Sequence, residues 1–336
     1  MELLNALVAF TNFVGVPAIA YGSQLAIGAL GVTLVYSVLR FSNFAHGDTM
    51  AFGTMVTILF TWWFQSMGIS FGPLPTALLA LPLGIAVTML LVLITDRTVY
   101  SFYREQKAKP VVFVMVSLGV MFMMNGLVRF IIGPGDQRFS DGERFIIKAR
   151  AFKKMTGLDE GLAIKTSQGI TVVTAIVVVA LLFWFLNKTR TGKSMRAYSD
   201  NEDLALLSGI NPERVVMYTW LIVATLATIA GVLYGLDKSF KPFTYFQLLL
   251  PIFASAIVGG LGSPIGAIAG GFIIAFSEVM ITYAWKKVAT YVLPESMAPD
   301  GLVQLLSTDY KFAVSFAILI IVLLFKPTGI FKGKSV

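Results

Sequence analysis

The residues of this chain that could do chemistry are few and fall at separate places. Residues 40–53 (RFSNFAHGDTMAFG) set an arginine, an asparagine, the only histidine and an aspartate between two long apolar runs. Polar groups at membrane depth are costly unless paired or turned toward a cavity. Asp48 stands where a helix beginning near Thr49 would expose its first N–H groups, so one reading is a connecting turn with a good cap. The other reading brings the segment into the membrane beside a solute path, with Asn43 and His46 facing the cavity. Ser117 and Asn125 supply small polar groups in a later apolar run, and Glu278 lies inside another. A buried carboxylate must be paired, protonated or wet. Glu278 therefore reads either as half of an ion pair with a basic residue of a neighbouring helix or as a group on the path. Asn43, His46, Ser117, Asn125 and Glu278 are the candidates for lining a translocation path. Arg129 and Asp237 lie near run ends, where a charged head can reach the interface.

No catalytic constellation assembles from these groups. With one histidine and no cysteine, neither a histidine-rich nor a thiolate metal site can form, and a disulfide framework is excluded. No catalytic residue, no metal and no cofactor are expected. GGLGS at 259–263 has glycines but neither the Lys-Ser/Thr of a phosphate loop nor a preceding strand, so ATP hydrolysis by this chain is not expected.

The elements that must position these groups are membrane helices. Only 13% of the 336 residues are charged and 57% are hydrophobic, with a mean hydropathy of +0.80. A soluble surface needs roughly a quarter of its residues charged, so much of this surface faces lipid. A bilayer core takes about 20 apolar residues per helix. Apolar runs at about 17–39, 50–68, 73–96, 111–133, 169–187, 214–237, 243–259, 265–284 and 311–326 meet that need or come close. Pro251 predicts a broken helix in the seventh, and residues 288–294 can dip into the membrane. The fold class expected is all-α, a polytopic membrane protein with eight to ten transmembrane helices. Residues 1–336 form one transmembrane domain, with a long connection at 134–168 and a polar one at 188–213. The apolar opening at 1–10 lacks a basic start and a cleavage signal, so the first span carries the targeting. The net charge of +8 sits in loops, where it suits a membrane surface rather than nucleic acid. Arg40, the 97–109 and 188–214 connections and the C-terminal tail fall on one side. The basic residues divide evenly between the two sides, so charge alone does not orient the chain.

Two local patterns have further meaning. In the 188–214 connection, 192–198 reads as a turn and 201–207 (NEDLALL) as a short helix with acids in its first turn, an apolar stripe and Gly209 as its stop. Asn211-Pro212 opens the next helix. Such a helix either lies on the headgroups or docks on a partner protein. Gly262, Gly266 and Gly270 recur every fourth residue, a spacing that lets helices approach closely. They serve packing within the subunit, an interface with a second subunit, or a hinge.

Three motifs together carry a resemblance. Thr189, Gly192, Met195, Arg196 and Ala197, then Ala205, Leu207, Gly209, Ile210, Asn211 and Arg214 resemble the cytoplasmic coupling loop of the branched-chain amino acid permease family of ATP-driven importers. Residues 43–47 with Gly53, and residues 259–266 with Gly270 and Gly271, resemble two further motifs of that family in the same order and spacing. The LivH-type subunit is the closest version. The basic insertion around 144–154 is longer and more charged than that family leads one to expect. The resemblance implies a non-enzymatic permease subunit in a bacterial inner (cytoplasmic) membrane. It implies a sister permease of the LivM type, two cytoplasmic ATPase subunits and a periplasmic substrate-binding protein as partners, within the lipid bilayer. It assigns ATPase coupling to Gly192, Arg196, Ala205, Leu207 and Gly209, and import of leucine, isoleucine and valine to the assembly. Urea or short-chain amides are the alternative solutes. An ion-driven secondary transporter is the alternative class, which would lean on Glu278 and needs no coupling loop.

Overall fold

A computed structural model describes residues 1–292, 301 and 303–331. Each of the nine apolar stretches coincides with a helix. After a short α1 (Glu2–Phe10) and a wider π turn (Thr11–Gly15) come α2 (Val16–Leu39), α3 (His46–Ser66) and α4 (Ala77–Thr95). A second π turn (Asp96–Tyr100) and α5 (Ser101–Glu105) lead to α6 (Pro110–Ile132). The following connection holds β1 (Phe145–Ile147), α7 (Ala149–Thr156) and β2 (Ile164–Lys165), the two strands pairing antiparallel. Then come α8 (Thr166–Lys188), α9 (Arg190–Asp200), α10 (Glu202–Leu207), α11 (Pro212–Lys238), α12 (Pro242–Gly259), α13 (Pro264–Thr282), α14 (Lys286–Val292) and α15 (Lys311–Phe325).

Eight helical runs among the described residues are long and apolar enough to cross a membrane. They are Glu2–Leu39, Ala77–Glu105, Pro110–Ile132, Thr166–Lys188, Pro212–Lys238, Pro242–Gly259, Pro264–Thr282 and Thr308–Phe325. The first spans 38 residues because α1, the π turn and α2 run on as one helix, about 57 Å at 1.5 Å per residue. That exceeds a hydrocarbon core of about 30 Å, so α1 rises beyond it. The ninth helix, α3, has 21 residues and is interleaved with threonines.

Local chemistry sets the helix starts. Proline occupies the first turn of α6, α11, α12 and α13, where its missing N–H costs nothing. The side chains of Asn211 and Ser263 accept from Arg214 N and Gly266 N and so cap α11 and α13. Pro251 does not break α12, contrary to the sequence reading. The helix runs through it with Pro251 buried among neighbours, away from lipid.

Helices α2 and α11 form the centre, buried along most of their length. α2 packs on α13, α11, α8 and α12, while α3 packs on α4, α11, α6 and α12. Within this core, Thr54, Thr57, Thr61, Thr88, Thr219 and Thr228 donate their hydroxyls to the carbonyl four residues earlier in their own helix. These buried hydroxyls find their acceptors within their own helices.

The bundle has two distinct ends. At one, Asn5 bonds Asp159, Lys287 bonds Glu160 at 2.8 Å, and Gln137 pairs with Phe240 through the backbone. Phe10 stacks on Trp285 and Phe13 on Tyr283 just inside these ionic groups, an aromatic girdle of the kind that marks a membrane boundary. α14 packs against α1 at this end; of the 288–294 stretch, 293 and 294 lie outside the described residues. At the other end gather the 40–45 turn, the 96–109 connection, α9–α10 and the 260–263 turn. The tail joins them, since Ile330 N bonds Val258 O and Phe331 N bonds Gly259 O. The chain is a multi-pass membrane protein with α1 at one face and its residue 331 at the other.

Candidate functional site

The 188–214 connection makes the most distinct structure at the second end. Thr189 caps α9 by accepting from Gly192 N at 3.0 Å. The 192–198 stretch is therefore part of an eleven-residue helix rather than a turn. Its few apolar residues, Met195 and Tyr198, fall on one buried face, and that packing decides the outcome. Asn201 then caps α10 through Leu204 N at 3.0 Å. Gly209, at φ +79°, turns the chain back toward α11 in a conformation that glycine adopts without strain.

Below this pair lies a small apolar seat of Val38, Met195, Tyr198, Ala205 and Val215. Ala205 is 3% exposed and anchors α10 from beneath. Leu204, Leu206 and Leu207 point away, Leu207 at 85% exposure. The Tyr198 hydroxyl donates to Glu202 at 2.6 Å and joins the two short helices. Burial and this carboxylate push the tyrosine pKa up, which keeps it a donor. Clefts of about 560 Å³ and about 310 Å³ flank the seat, and Val38 lines both. Arg196 and Gly262 line the larger one. Of the five residues assigned to coupling by resemblance, Gly192 and Ala205 lie buried in the framework, whereas Arg196, Leu207 and Gly209 are exposed.

The path candidates do not meet at one place. Asn43 and Ser117 are brought together around the 40–45 turn. Phe44 N donates to Ser117 Oγ at 3.1 Å, while Ala45 N and the Tyr100 hydroxyl donate to Asn43 Oδ1 at 3.1 and 3.3 Å. The free space beside Asn43 is about 10 Å³, room for about one water. These two side chains hold the turn. His46 is fully buried with its ring across Gly31 of α2, where a Cβ would come within 3.0 Å of Nε2. Asp48 does not cap α3. Its Oδ1 accepts from Asn125 Nδ2 at 2.6 Å instead, a contact between α3 and α6 that the capping reading missed; an acid inside an apolar run was its only signal. Glu278 belongs to a separate group near the first end. It accepts from Ser315 Oγ and faces Lys311 Nζ at 3.8 Å, with Lys311 over the Tyr21 ring at 4.0 Å.

The glycines at 259–270 divide in the same way. Gly266 and Gly270 lie directly against Gly259 and Ser255 of α12, so that face of α13 is used within the subunit. Gly262 sits in the preceding turn at φ +85°. Sequence reasoning also missed Asp96, which accepts from Trp220 Nε1 at 2.7 Å and from Arg104 at 2.8 and 3.1 Å and so fastens α4, α5 and α11 at the second end.

Comparison with known proteins bears on what this architecture belongs to. The chain is 28% identical over 323 residues to the high-affinity branched-chain amino acid transport system permease protein LivH of Escherichia coli K12, covering 93% of this chain and 92% of that protein. It is 29% identical over 322 residues to the probable branched-chain amino acid transport permease protein LivH of Methanocaldococcus jannaschii, covering 93% and 90%. It is 26% identical over 324 residues to the corresponding permease protein BraD of Pseudomonas aeruginosa, covering 94% of each. The family model for the branched-chain amino acid transport system permease component matches residues 16–323, a span that runs from the start of α2 into α15 and includes the α9–α10 pair. A multi-pass protein of the inner membrane with a transport role, this chain belongs to that permease family.

Proposed function

We propose that the chain is the LivH-type permease subunit of a binding-protein-dependent, ATP-driven importer of leucine, isoleucine and valine. In this assembly a LivM-type sister permease completes the path. Two cytoplasmic ATPase subunits bind on the α9–α10 side, and a periplasmic binding protein delivers the amino acid to the opposite face. The observation that carries the reading is the α9–α10 pair. Its underside is seated on the bundle through Ala205, while Leu204 and Leu207 stand 61% and 85% exposed at a polar end. Apolar side chains presented there on a capped, rigid element suit a groove on a partner. Leu207, with Arg196 beside the larger cleft, is the contact side of the coupling element. Gly192, Ala205 and Gly209 shape it.

Purification of the tagged chain from native membranes in mild detergent tests this reading. A sister permease and ATPase subunits should accompany it. Reconstituted with the binding protein, the assembly should take up labelled leucine, isoleucine or valine only with ATP. Uptake of urea or a short amide in place of these would change the substrate but keep the machine. A chain that transports in vesicles without partners or ATP would overturn the reading.

A further inference from the structure

Arg40 ends α2 with φ +60° and ψ 26°, the left-handed region that side chains other than glycine seldom adopt. A left-handed residue is a common way to close a helix, usually as glycine, so an arginine here accepts some strain at an exposed position. Two contacts hold this one. Its backbone N–H donates to Tyr36 O, closing α2. Its guanidinium Nη2 donates to Ser199 O at 2.6 Å, in the last turn of α9, where the carbonyls carry the negative end of the helix dipole. The turned backbone thus aims an exposed cation at the C-terminal end of α9, within the coupling element.

The surroundings give this contact a mechanical meaning. Covalent connections tie α9–α10 to α8 and α11 only. Toward α2 the pair rests on the narrow Val38 seat, with a cleft of about 560 Å³ on one side and about 310 Å³ on the other. α9 is packed closely on α8 at Gly192, so the pair is held more firmly there than toward α2, where the clefts leave only this small apolar contact and Arg40. Meanwhile α2 is continuous with α1 through the whole membrane and carries the largest packing surface of α13. At its far end Asn5 is bonded to Asp159 in the opposite face.

We propose that Arg40 is the clasp that transmits movement of α9–α10 to the α1–α2 rod. It acts as a positioning residue that makes ATPase motion reach the opposite face. The inference rests on the importer reading. Without the guanidinium, only the Val38 seat would link α9–α10 to α2, so ATP would be hydrolysed with less uptake.

The test uses the complete complex in proteoliposomes with its binding protein, and compares wild type, Arg40→Gly and Arg40→Lys. Glycine accepts the positive φ without strain, so R40G removes the clasp while the turn remains easy to form. Lysine keeps a cation able to donate to Ser199 O. We expect R40G to assemble normally and hydrolyse ATP within about twofold of wild type, with uptake per ATP falling about fivefold or more, the low end of ordinary coupling between sites. R40K should lie between R40G and wild type. R40G with wild-type uptake per ATP, or R40K no better than R40G, would overturn the clasp while leaving the importer reading intact. A wild-type complex with no ATP-driven uptake would overturn that reading and the clasp with it.

Discussion

Replacing Gly270 by alanine is the sharpest test of how the bundle is held. The added Cβ would lie 2.9 Å from the Ser255 carbonyl carbon and 3.0 Å from Gly259 N, with the Ser255 oxygen nearer still. Carbon contacts are most favourable at about 3.5–4.0 Å, and clearing the nearer Ser255 oxygen as well requires α12 and α13 to part by about 1 Å or more. A gap of that size forfeits about half of each contact's attraction along the interface. Overpacking of this kind costs about 1–3 kcal/mol. The upper figure applies here because the nearest atoms are all backbone and cannot swing away. Alanine returns about 1 kcal/mol of helix propensity, which leaves a net loss of about 2 kcal/mol. The control is Gly126→Ala on α6, where a Cβ meets nothing within 4 Å and only the propensity gain remains. The two variants should therefore differ by about 3 kcal/mol. Purified proteins in mild detergent, titrated with sodium dodecyl sulfate and followed by tryptophan fluorescence, would report the difference. Equal midpoints for the two variants would refute the argument that backbone contact across α12 and α13 sets the packing.

Other expected outcomes concern separate parts of the chain. Leu207→Asp should leave stability within about 0.5 kcal/mol because the side chain is 85% exposed, yet reduce ATPase capture on affinity resin about tenfold. Asn125→Ala should cost about 1–3 kcal/mol by leaving the buried Asp48 without its 2.6 Å partner. Adding Asp48→Ala should recover part of that loss, measured by the same detergent titration as a double-mutant cycle. Burial alone would raise the Glu160 pKa, but the hydrogen bonds from Lys287 and Tyr291 outweigh it and leave the value below normal. A depressed carboxylate stabilises the folded form above the ordinary glutamate pKa, about 4.3, and that contribution disappears as pH falls through the lower folded value. Cleavage by an acid-active protease near Lys153 and Lys154, taken relative to an unfolded peptide of the same segment, should thus rise below the ordinary glutamate pKa, about 4.3, and Glu160→Gln should remove that relative rise.

The helices were legible because membrane depth demands long uninterrupted apolar runs, and all nine runs became helices. The continuous α1–α2 rod was less so, since Asn5 and Asn12 interrupt the apolar pattern while bonding residues 151–155 positions away. α9 read as a turn because RTGKSMRAYSD has only Met195 and Tyr198 to suggest an apolar face. Its helix depends on a seat supplied by Val38 and Val215. For the site, the short helix at α10 and its glycine stop were visible in spacing alone. That Ala205 faces inward and Leu207 outward required the seat itself. The Asn43–Ser117 neighbourhood and the Asp48–Asn125 pair join segments 73 and 77 residues apart, and no local pattern encodes such meetings. Glu278 announced that it needed a cation or a proton, but not that Lys311 would stand beside it.

The self-satisfied threonines have a consequence for how such a bundle can move. Where helices are joined by side-chain hydrogen bonds, one must break for every step of relative displacement, and in a dry interior each break is expensive. Along α3, α4 and α11 the hydroxyls of Thr54, Thr57, Thr61, Thr88, Thr219 and Thr228 stay with their own backbone however far the helices shift. These contacts are therefore held by shape rather than by hydrogen bonds between helices, so their strength depends on how closely the facing glycines let the helices approach. The core can thus carry these hydroxyls deep in the membrane without an unpaired polar atom, while Thr54, Thr57 and Thr228 fit closely against Gly231, Gly84 and Gly53 of neighbouring helices.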